Sequence, residues 1–339
     1  MSGPPRPVPT VVYERVNHGA ARAFSRSLLL PSGPSGPSIE HTGPVDPARD
    51  GPRLPVLLVH GFGQNRRAWH LPTRSLANHL AAEGFEVFNI DLPGQGLAHA
   101  GHPTRSWGAT AAEVLPACLE LALGLTQSPG AVVLGHSQGG LAACGLAGDH
   151  PSVRGVGALA CPFSLGHGNP ILRGLAHALG ALGRVAPQGT AFPMGLVREV
   201  FRAAPGVWET GWLPLPVRAW RPGSFEPAVR DEWLSLAFDR SRLHEVGHLL
   251  DPMPGLQRWA ARRDCALLTI AGTHDLLAPP PVVSVGFAAS RSADKTAVVV
   301  PHGHGDLLVG HQSPHTVWPT LVAWLRRLSA SWPPPGRRA

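Results

Sequence analysis

From residue 56 onward, short and mostly apolar runs, the first of them wholly so, alternate with longer stretches whose apolar residues recur every three or four positions. That alternation predicts strands and helices in turn. Residues 56–59 form the first such run, ending at His60-Gly61, and residues 85–90 the next, ending at Asp91. Residues 131–134, 153–160, 265–271 and 296–300 read as further strands. Between them, residues 69–83 predict a helix with Leu76 and Leu80 one turn apart and Gly84 as its stop. Residues 110–125 predict another, which Pro116 must kink or open. Residues 139–147 predict a third, and a last helix begins at Ser313-Pro314, with Val317, Leu321, Trp324, Leu325 and Leu328 on one face. Upstream, residues 11–16 and 22–30 read as two strands about the turn signal Asn17-His18-Gly19, and residues 31–52 as a low-complexity loop.

Continuous apolar strands separated by helices imply a mostly parallel central sheet with helices on both faces, an α/β fold. The rhythm breaks between Phe163 and Arg263, where Pro, Gly and Trp are frequent and only residues 171–182 and 227–237 look helical. So long a stretch is not an ordinary connection. The expected organisation is a core in two parts, 1–162 and 264–330, with a largely helical cap inserted at 163–263 and a tail at 331–339.

Composition narrows the class further. The chain is 43% hydrophobic and 15% charged, which excludes broad disorder. Its 29 Lys+Arg against 22 Asp+Glu give +7, almost all of it arginine, since Lys295 is the one lysine. There is no basic run and no nucleic-acid motif, so no nucleic-acid partner is expected. A basic surface facing anionic lipid or an acyl-chain carrier is weighed against a plain arginine-rich composition. Cys118, Cys144, Cys161 and Cys265 are scattered and predict neither a zinc site nor a disulfide framework. The start of the chain has no charged-then-apolar leader and no run of 18 apolar residues occurs, so the expectation is a cytoplasmic protein.

The chemistry is concentrated at strand ends. Gly135-His136-Ser137-Gln138-Gly139 fits G-x-S-x-G between a predicted strand and a predicted helix. A nucleophile on so sharp a turn needs small neighbours on both sides, and the turn exposes its hydroxyl. A serine hydroxyl needs a base, and the base needs a carboxylate to orient it. Asp275 lies just beyond one buried strand, while Asp251, in the cap, and Asp264, ahead of its strand, are weaker candidates. His302 and His304 both follow the last strand, and the tight Gly303-His304-Gly305-Asp306 loop favours His304. A metal reading of His302, His304, Asp306, His311 and His315 is weakened by the chain's 18 histidines. The glycine-rich loop His60-Gly61-Phe62-Gly63 offers the N–H of Phe62 as one oxyanion donor, to be joined by the N–H of Gln138.

Together with the Asp91-Leu92-Pro93-Gly94-Gln95-Gly96 loop, these segments resemble the α/β-hydrolase superfamily, over residues 55–160 and 263–330. The resemblance is to its serine esterases and lipases with an inserted cap. It implies the triad Ser137, Asp275, His304, a supporting role for the 91–96 loop, and no metal or organic cofactor. The histidine loop is also similar to that of polyester-synthase-like members, which use a cysteine where this chain has Ser137. Aspartate at the elbow, as in epoxide hydrolases and haloalkane dehalogenases, is absent. The cap matches no member we can name, and the cap largely sets the substrate. The expected reaction is hydrolysis of a small-molecule carboxylic ester with an apolar acyl group. The cap aromatics Phe192, Phe201, Trp208, Trp212, Trp220, Phe225, Trp233 and Phe238 either form the cap's own core and its seat on the main domain or line an acyl tunnel above Ser137. A thioesterase or acyltransferase would use the same triad, and a non-catalytic binding protein on a hydrolase scaffold is the alternative from another class.

Overall fold

A computed structural model describes residues 10–16, 20–44, 54–104, 106–187, 189–203, 218, and 220–331. The predicted turn at 17–19, Trp208, Trp212 and most of the tail lie outside the described residues. Nine strands form one sheet: β1 (Thr10–Val16), β2 (Ala20–Leu29), β3 (Ser38–Pro44), β4 (Pro55–Val59), β5 (Glu86–Asp91), β6 (Ala131–His136), β7 (Val153–Leu159), β8 (Ala266–Gly272) and β9 (Lys295–Val300). Their spatial order is β1-β2-β3-β5-β4-β6-β7-β8-β9. β1, β2 and β3 are antiparallel, and β3 joins β5 antiparallel. From β5 to β9 every pairing is parallel.

The alternation of side chains along each strand divides the core in two. Val56, Leu58 and Val87 face one layer with α1 (Leu76–Ala82), α7 (Pro280–Ala289) and α8 (Val317–Ala330). Leu57, Val59, Phe88 and Ile90 face the other, with α2 (Leu115–Thr126) and α3 (Gln138–Asp149). All four cysteines are free and buried, and burial pushes the Cys118 and Cys265 thiols up to about 12, so they act as small apolar side chains.

Several predicted elements differ in extent. The loop expected at 31–52 contains β3, whose Ile39 is buried and pairs with Ile90, so the Gly/Pro-rich flanks hid a real strand. The helix expected from residue 69 begins only at Leu76, because Pro72 interrupts the run and the Ser75 hydroxyl caps α1 by accepting the Asn78 N–H at 3.0 Å. Ahead of α2 the backbone makes a wide turn at Thr110–Val114, placed where Pro116 cannot donate its share of the ladder. The last helix starts at Val317, after a separate turn at Ser313–His315. α7 was not foreseen, since its Pro-Pro start masks a helical period. Trp107–Thr126 is also long and apolar enough, by length and composition, to cross a membrane, where the sequence reading found no such segment. Its Leu115, Cys118, Leu119 and Ala122 are buried in the protein core.

The connection between adjacent strands β7 and β8 carries the cap, which contains α4 (Pro170–Val185), α5 (Met194–Ala203) and α6 (Pro227–Leu236). Hydrogen bonds fasten it to the loop after β4. The Ser241 hydroxyl accepts the Gly63 N–H at 2.7 Å, the Ala237 carbonyl accepts the Asn65 N–H at 3.1 Å, and the Asp239 N–H donates to the Gly63 carbonyl at 2.8 Å. Below that seam lies a buried ion pair. Asp91 Oδ2 meets Arg66 Nη1 at 2.6 Å, and its carboxylate also accepts N–H groups from Arg66 at 2.8 Å and Leu97 at 2.8 Å. Asp91 therefore gathers the loops after β4 and β5 around one charge. Arg66→Met, which keeps the stem and removes the cation, is expected to cost about 3–5 kcal/mol, read as a lower urea midpoint at unchanged slope.

Candidate active site

The residues singled out at strand ends converge on one point. Ser137 sits between β6 and α3 with φ 54° and ψ −124°, a backbone state that non-glycine residues avoid. It is held there by two hydrogen bonds: its N–H donates to the Leu159 carbonyl at 2.8 Å, and its carbonyl accepts the Gly140 N–H at 2.9 Å. The glycines of the motif are steric necessities. A Cβ on Gly135 would lie 2.3 Å from the Gly139 carbonyl oxygen, and one on Gly139 would lie 2.3 Å from the Val59 carbonyl oxygen. A Cβ on Gly61 would come within 3.0 Å of the Ser137 Cβ, so the loop after β4 is pressed against the elbow.

The loop after β8 brings Asp275, which is buried, and the loop after β9 brings His304. His304 Nδ1 lies 2.8 Å from Asp275 Oδ2. The other carboxylate oxygen accepts N–H groups from Leu277 at 2.8 Å and Ala278 at 2.9 Å, which fixes the plane of the carboxylate. With its imidazole side chain 12% exposed and Nδ1 engaged, His304 has Nε2 left to exchange a proton with a hydroxyl. His304 and Ser137 line the same cavity.

His302 is placed elsewhere: it is buried, with Nε2 2.8 Å from the Thr316 hydroxyl and Nδ1 3.4 Å from Asp306 Oδ2. Asp251 and Asp264 are both exposed, and Asp264 is paired with Arg262 at 2.8 Å. Asp306 does work the sequence reading did not assign. It is fully buried, and its Oδ1 accepts the Gly303 N–H at 3.0 Å and the Arg221 N–H at 2.9 Å, binding the histidine loop to itself and to the cap. Its position two residues after the histidine in a glycine-flanked loop was the available signal.

His136, inside the serine motif, supports the histidine from below. Its Nε2 lies 3.0 Å from the His304 carbonyl oxygen, and the two ring centroids are 4.8 Å apart. The planes of the two rings are inclined at 52°, so they touch without stacking. Burial drives the His136 pKa well below the ordinary value, so the ring is neutral. Nδ1 faces the Gln64 side chain at 3.2 Å, and Gln64 Oε1 also accepts the Gly61 N–H at 3.3 Å. His60 is likewise held neutral by burial, with Nε2 accepting the Leu92 N–H at 3.3 Å. Among the described residues, the N–H groups of Phe62 and Gln138 have no internal acceptor.

On the cap side the site is apolar. A cavity of about 360 Å³ opens from Ser137 and His304 and is walled by Leu172, Leu179, Phe192, Phe201, Trp233 and Val246, among others. Of the cap aromatics, Phe192, Phe201, Trp233 and Phe238 reach this cavity. Trp220 and Phe225 instead pack into the core, ring to ring at 6.0 Å.

Comparison with known proteins agrees with this architecture. A 96-residue stretch is 36% identical to a pimeloyl-[acyl-carrier protein] methyl ester esterase of Klebsiella pneumoniae, covering 28% of this chain and 32% of that protein. A 95-residue stretch is 34% identical to the esterase of the same description from Vibrio cholerae, covering 28% of this chain and 31% of that one. The chain thus matches about a third of the length of these curated relatives. Among solved structures, a monoacylglycerol lipase of Paleococcus ferrophilus superposes with TM-score 0.59 at 23% identity, over 80% of this chain and 93% of that one. A thermophilic esterase from Thermogutta terrifontis gives TM-score 0.55 at 20% identity, over 94% and 98%. At such identities the likeness is one of fold. The model of the alpha/beta hydrolase family, by contrast, matches residues 56–324, most of the chain, and the protein belongs to that family.

Proposed function

We propose that the protein is a serine esterase that forms an acyl-enzyme on Ser137 and prefers an apolar acyl group. The observation that carries this reading is the pairing of Asp275 with His304 at 2.8 Å beside the strained Ser137, all at the mouth of an apolar cavity. His304 Nε2 takes the Ser137 proton as the hydroxyl attacks the ester carbonyl. Negative charge develops on the carbonyl oxygen, and the Phe62 and Gln138 N–H groups, which lack internal acceptors, are available to it. Gln138 is also the first residue of α3, where the aligned peptide dipoles favour an anion. His304 then protonates the leaving alcohol, and a water activated by the same imidazole cleaves the acyl-enzyme. Asp275 holds the ring in the tautomer with the proton on Nδ1.

The cavity argues for the substrate class. Its wall is hydrocarbon and aromatic, and a methylene buried there is worth about 0.8 kcal/mol, nearly fourfold in binding. The cap helices that supply this wall are anchored to the loop bearing Phe62, so acyl binding and oxyanion stabilisation share one support. The resemblance of the matched stretch to enzymes described as acting on an acyl-carrier-protein ester is in keeping with an acyl substrate.

Ser137→Ala is expected to abolish labelling by a fluorophosphonate and to lower kcat about a millionfold, with an unchanged circular dichroism spectrum. Labelling that persists on another serine would refute the assignment. Asp275→Asn should fold normally and lose about 10⁴-fold in kcat, and His304→Ala should be far more damaging than His302→Ala; a reversed ranking of the two histidines would move the base. On p-nitrophenyl esters, kcat/KM should rise from acetate through butyrate to octanoate. A steady fall along that series would mean that acyl chains do not enter the cavity.

A further inference from the structure

The acyl-transfer scheme leaves one buried carboxyl beside the elbow unused. Glu245 lies in the cap turn Leu243–Leu249 and is 5% exposed. Its Oε1 accepts the Arg242 N–H at 2.9 Å, closing the start of that turn. Its Oε2 accepts Nε2–H of Gln138 at 3.2 Å, across the boundary between cap and core. The oxygen of the same Gln138 amide is buried and, among the described residues, has no donor. A buried acceptor without a donor is costly, and the neighbouring group that can acquire a donor by protonation is Glu245.

The surroundings favour that proton. Glu245 and Gln138 share a small polar cavity behind Phe62 with His60, Gln95, Thr104, Thr110 and Ser241. His60 is the titratable group facing them from the loop after β4, and it is neutral. Gln95, from the loop after β5, and Thr104 and Thr110, ahead of α2, carry no charge. Ser241 is likewise uncharged. Arg242, on Glu245's own segment, is the cation that acts on it, and burial outweighs this attraction.

We infer that Glu245 is a positioning residue which sits as the neutral acid and donates its proton to the Gln138 amide oxygen while accepting the Gln138 amide N–H, so that two opposed hydrogen bonds clasp the cap to the residue behind the nucleophile. This rests on the oxyanion role proposed above for the Gln138 N–H. An acid and a primary amide are complementary, each offering one donor and one acceptor on a planar edge. The two heteroatoms of the amide share a carbon, so an amide turned edge-on presents both to the same carboxyl. A carboxylate offers acceptors alone, and ionisation would set oxygen against oxygen in a buried site. Because Val246 and Leu249, on the same turn, wall the acyl cavity, release of the clasp loosens the cavity and the oxyanion donor together.

Burial pushes the Glu245 carboxyl up from 4.5 to about 7. The folded protein therefore holds a proton between these values that the unfolded chain has lost. Stability falls as pH rises through this window and levels off above it. Two measurements test the clasp. Difference infrared spectra of ¹³C-glutamate-labelled protein, wild type minus Glu245→Gln, should show a protonated-carboxyl C=O band that bleaches with a midpoint near pH 7. A carboxylate signature well below that midpoint would overturn the inference, whatever the protein hydrolyses. On p-nitrophenyl butyrate, wild-type kcat should fall about tenfold or more on the alkaline side of the same midpoint, the scale expected of a displaced oxyanion donor. Glu245→Gln, which offers a donor and acceptor that do not titrate, should lose that alkaline limb. A limb that persists in Glu245→Gln would overturn the positioning role, since a merely structural contact would lower activity at every pH alike. An intact acid band with no fluorophosphonate labelling of Ser137 would instead overturn the hydrolytic reading, and the positioning role with it, by an observation separate from the clasp.

Discussion

The backbone at Ser137 is the constraint on which the site depends. A serine at φ 54° costs about 1–3 kcal/mol and persists only where its surroundings leave no alternative. The surroundings do so by close approach. β6 and α3 meet at Gly135 and Gly139 with no room for a methyl group, and Gly139 also packs on the carbonyls that end β4. A second strained residue, Ala160 at φ 47°, follows β7, and its N–H donates to the Ile270 carbonyl of β8 at 2.8 Å. Next to it, Cys161 presses on Gly140, whose Cβ would fall 2.8 Å from the sulfur. The elbow is thus clamped by the ends of three parallel strands, and the packing of the central sheet acts with the two hydrogen bonds of Ser137 to offset its strain.

Around that fixed point the structure separates polar from apolar surroundings. On one side, Asp91, Arg66, Asp306 and Asp275 are buried charged groups, each with named partners, and the half-buried His304 is paired with Asp275. Asp91 and Asp306 each accept backbone N–H groups from a loop that carries a site residue, so a buried charge costs its desolvation yet fixes a loop that has no regular structure of its own. On the other side the cap offers hydrocarbon to the Ser137 hydroxyl. Water excluded from that wall leaves the donors at the elbow in a low-dielectric setting, where they act more strongly on a developing charge.

Much of this was legible in the sequence, for physical reasons. Strands buried on both faces are largely apolar, and β4, β6 and β8 announce themselves that way. The serine turn is legible because a steric requirement leaves glycines at fixed spacing. That Asp275 and His304 come together was legible because strand ends deliver both, and the glycines beside His304 set it apart from His302. What escaped notice depends on contacts distant in sequence. β3 is short and flanked by turn residues, and its strand state comes from Ile39 docking between β2 and β5. Arg66 reads as a surface arginine until Asp91 closes on it, and Glu245 reads as a solvated helix charge until the cap folds over Gln138. α1 starts late because a proline and a capping serine outweigh the apolar period that precedes them.

The cap is where sequence patterning is weakest and where the structure adds most. Its aromatics served two readings, a private core or a substrate wall, and they divide between the two. Trp220 and Phe225 pack with Trp233 and Phe201 into the main apolar cluster, while Trp233 and Phe201 also turn an edge to the cavity. The same side chains therefore hold the cap down and define what it encloses. Substituting them for a smaller or larger residue changes both properties at once, so cap stability and the shape of the cavity are coupled in this protein. The polar seam at Gly63, Asn65 and Ser241 is separate from that coupling, because it binds the cap through polar side chains and backbone groups that line no part of the hydrocarbon wall. A cap anchored by polar bonds on one edge and by aromatic packing on the other can vary its cavity wall along the second edge while the Phe62 loop keeps its place.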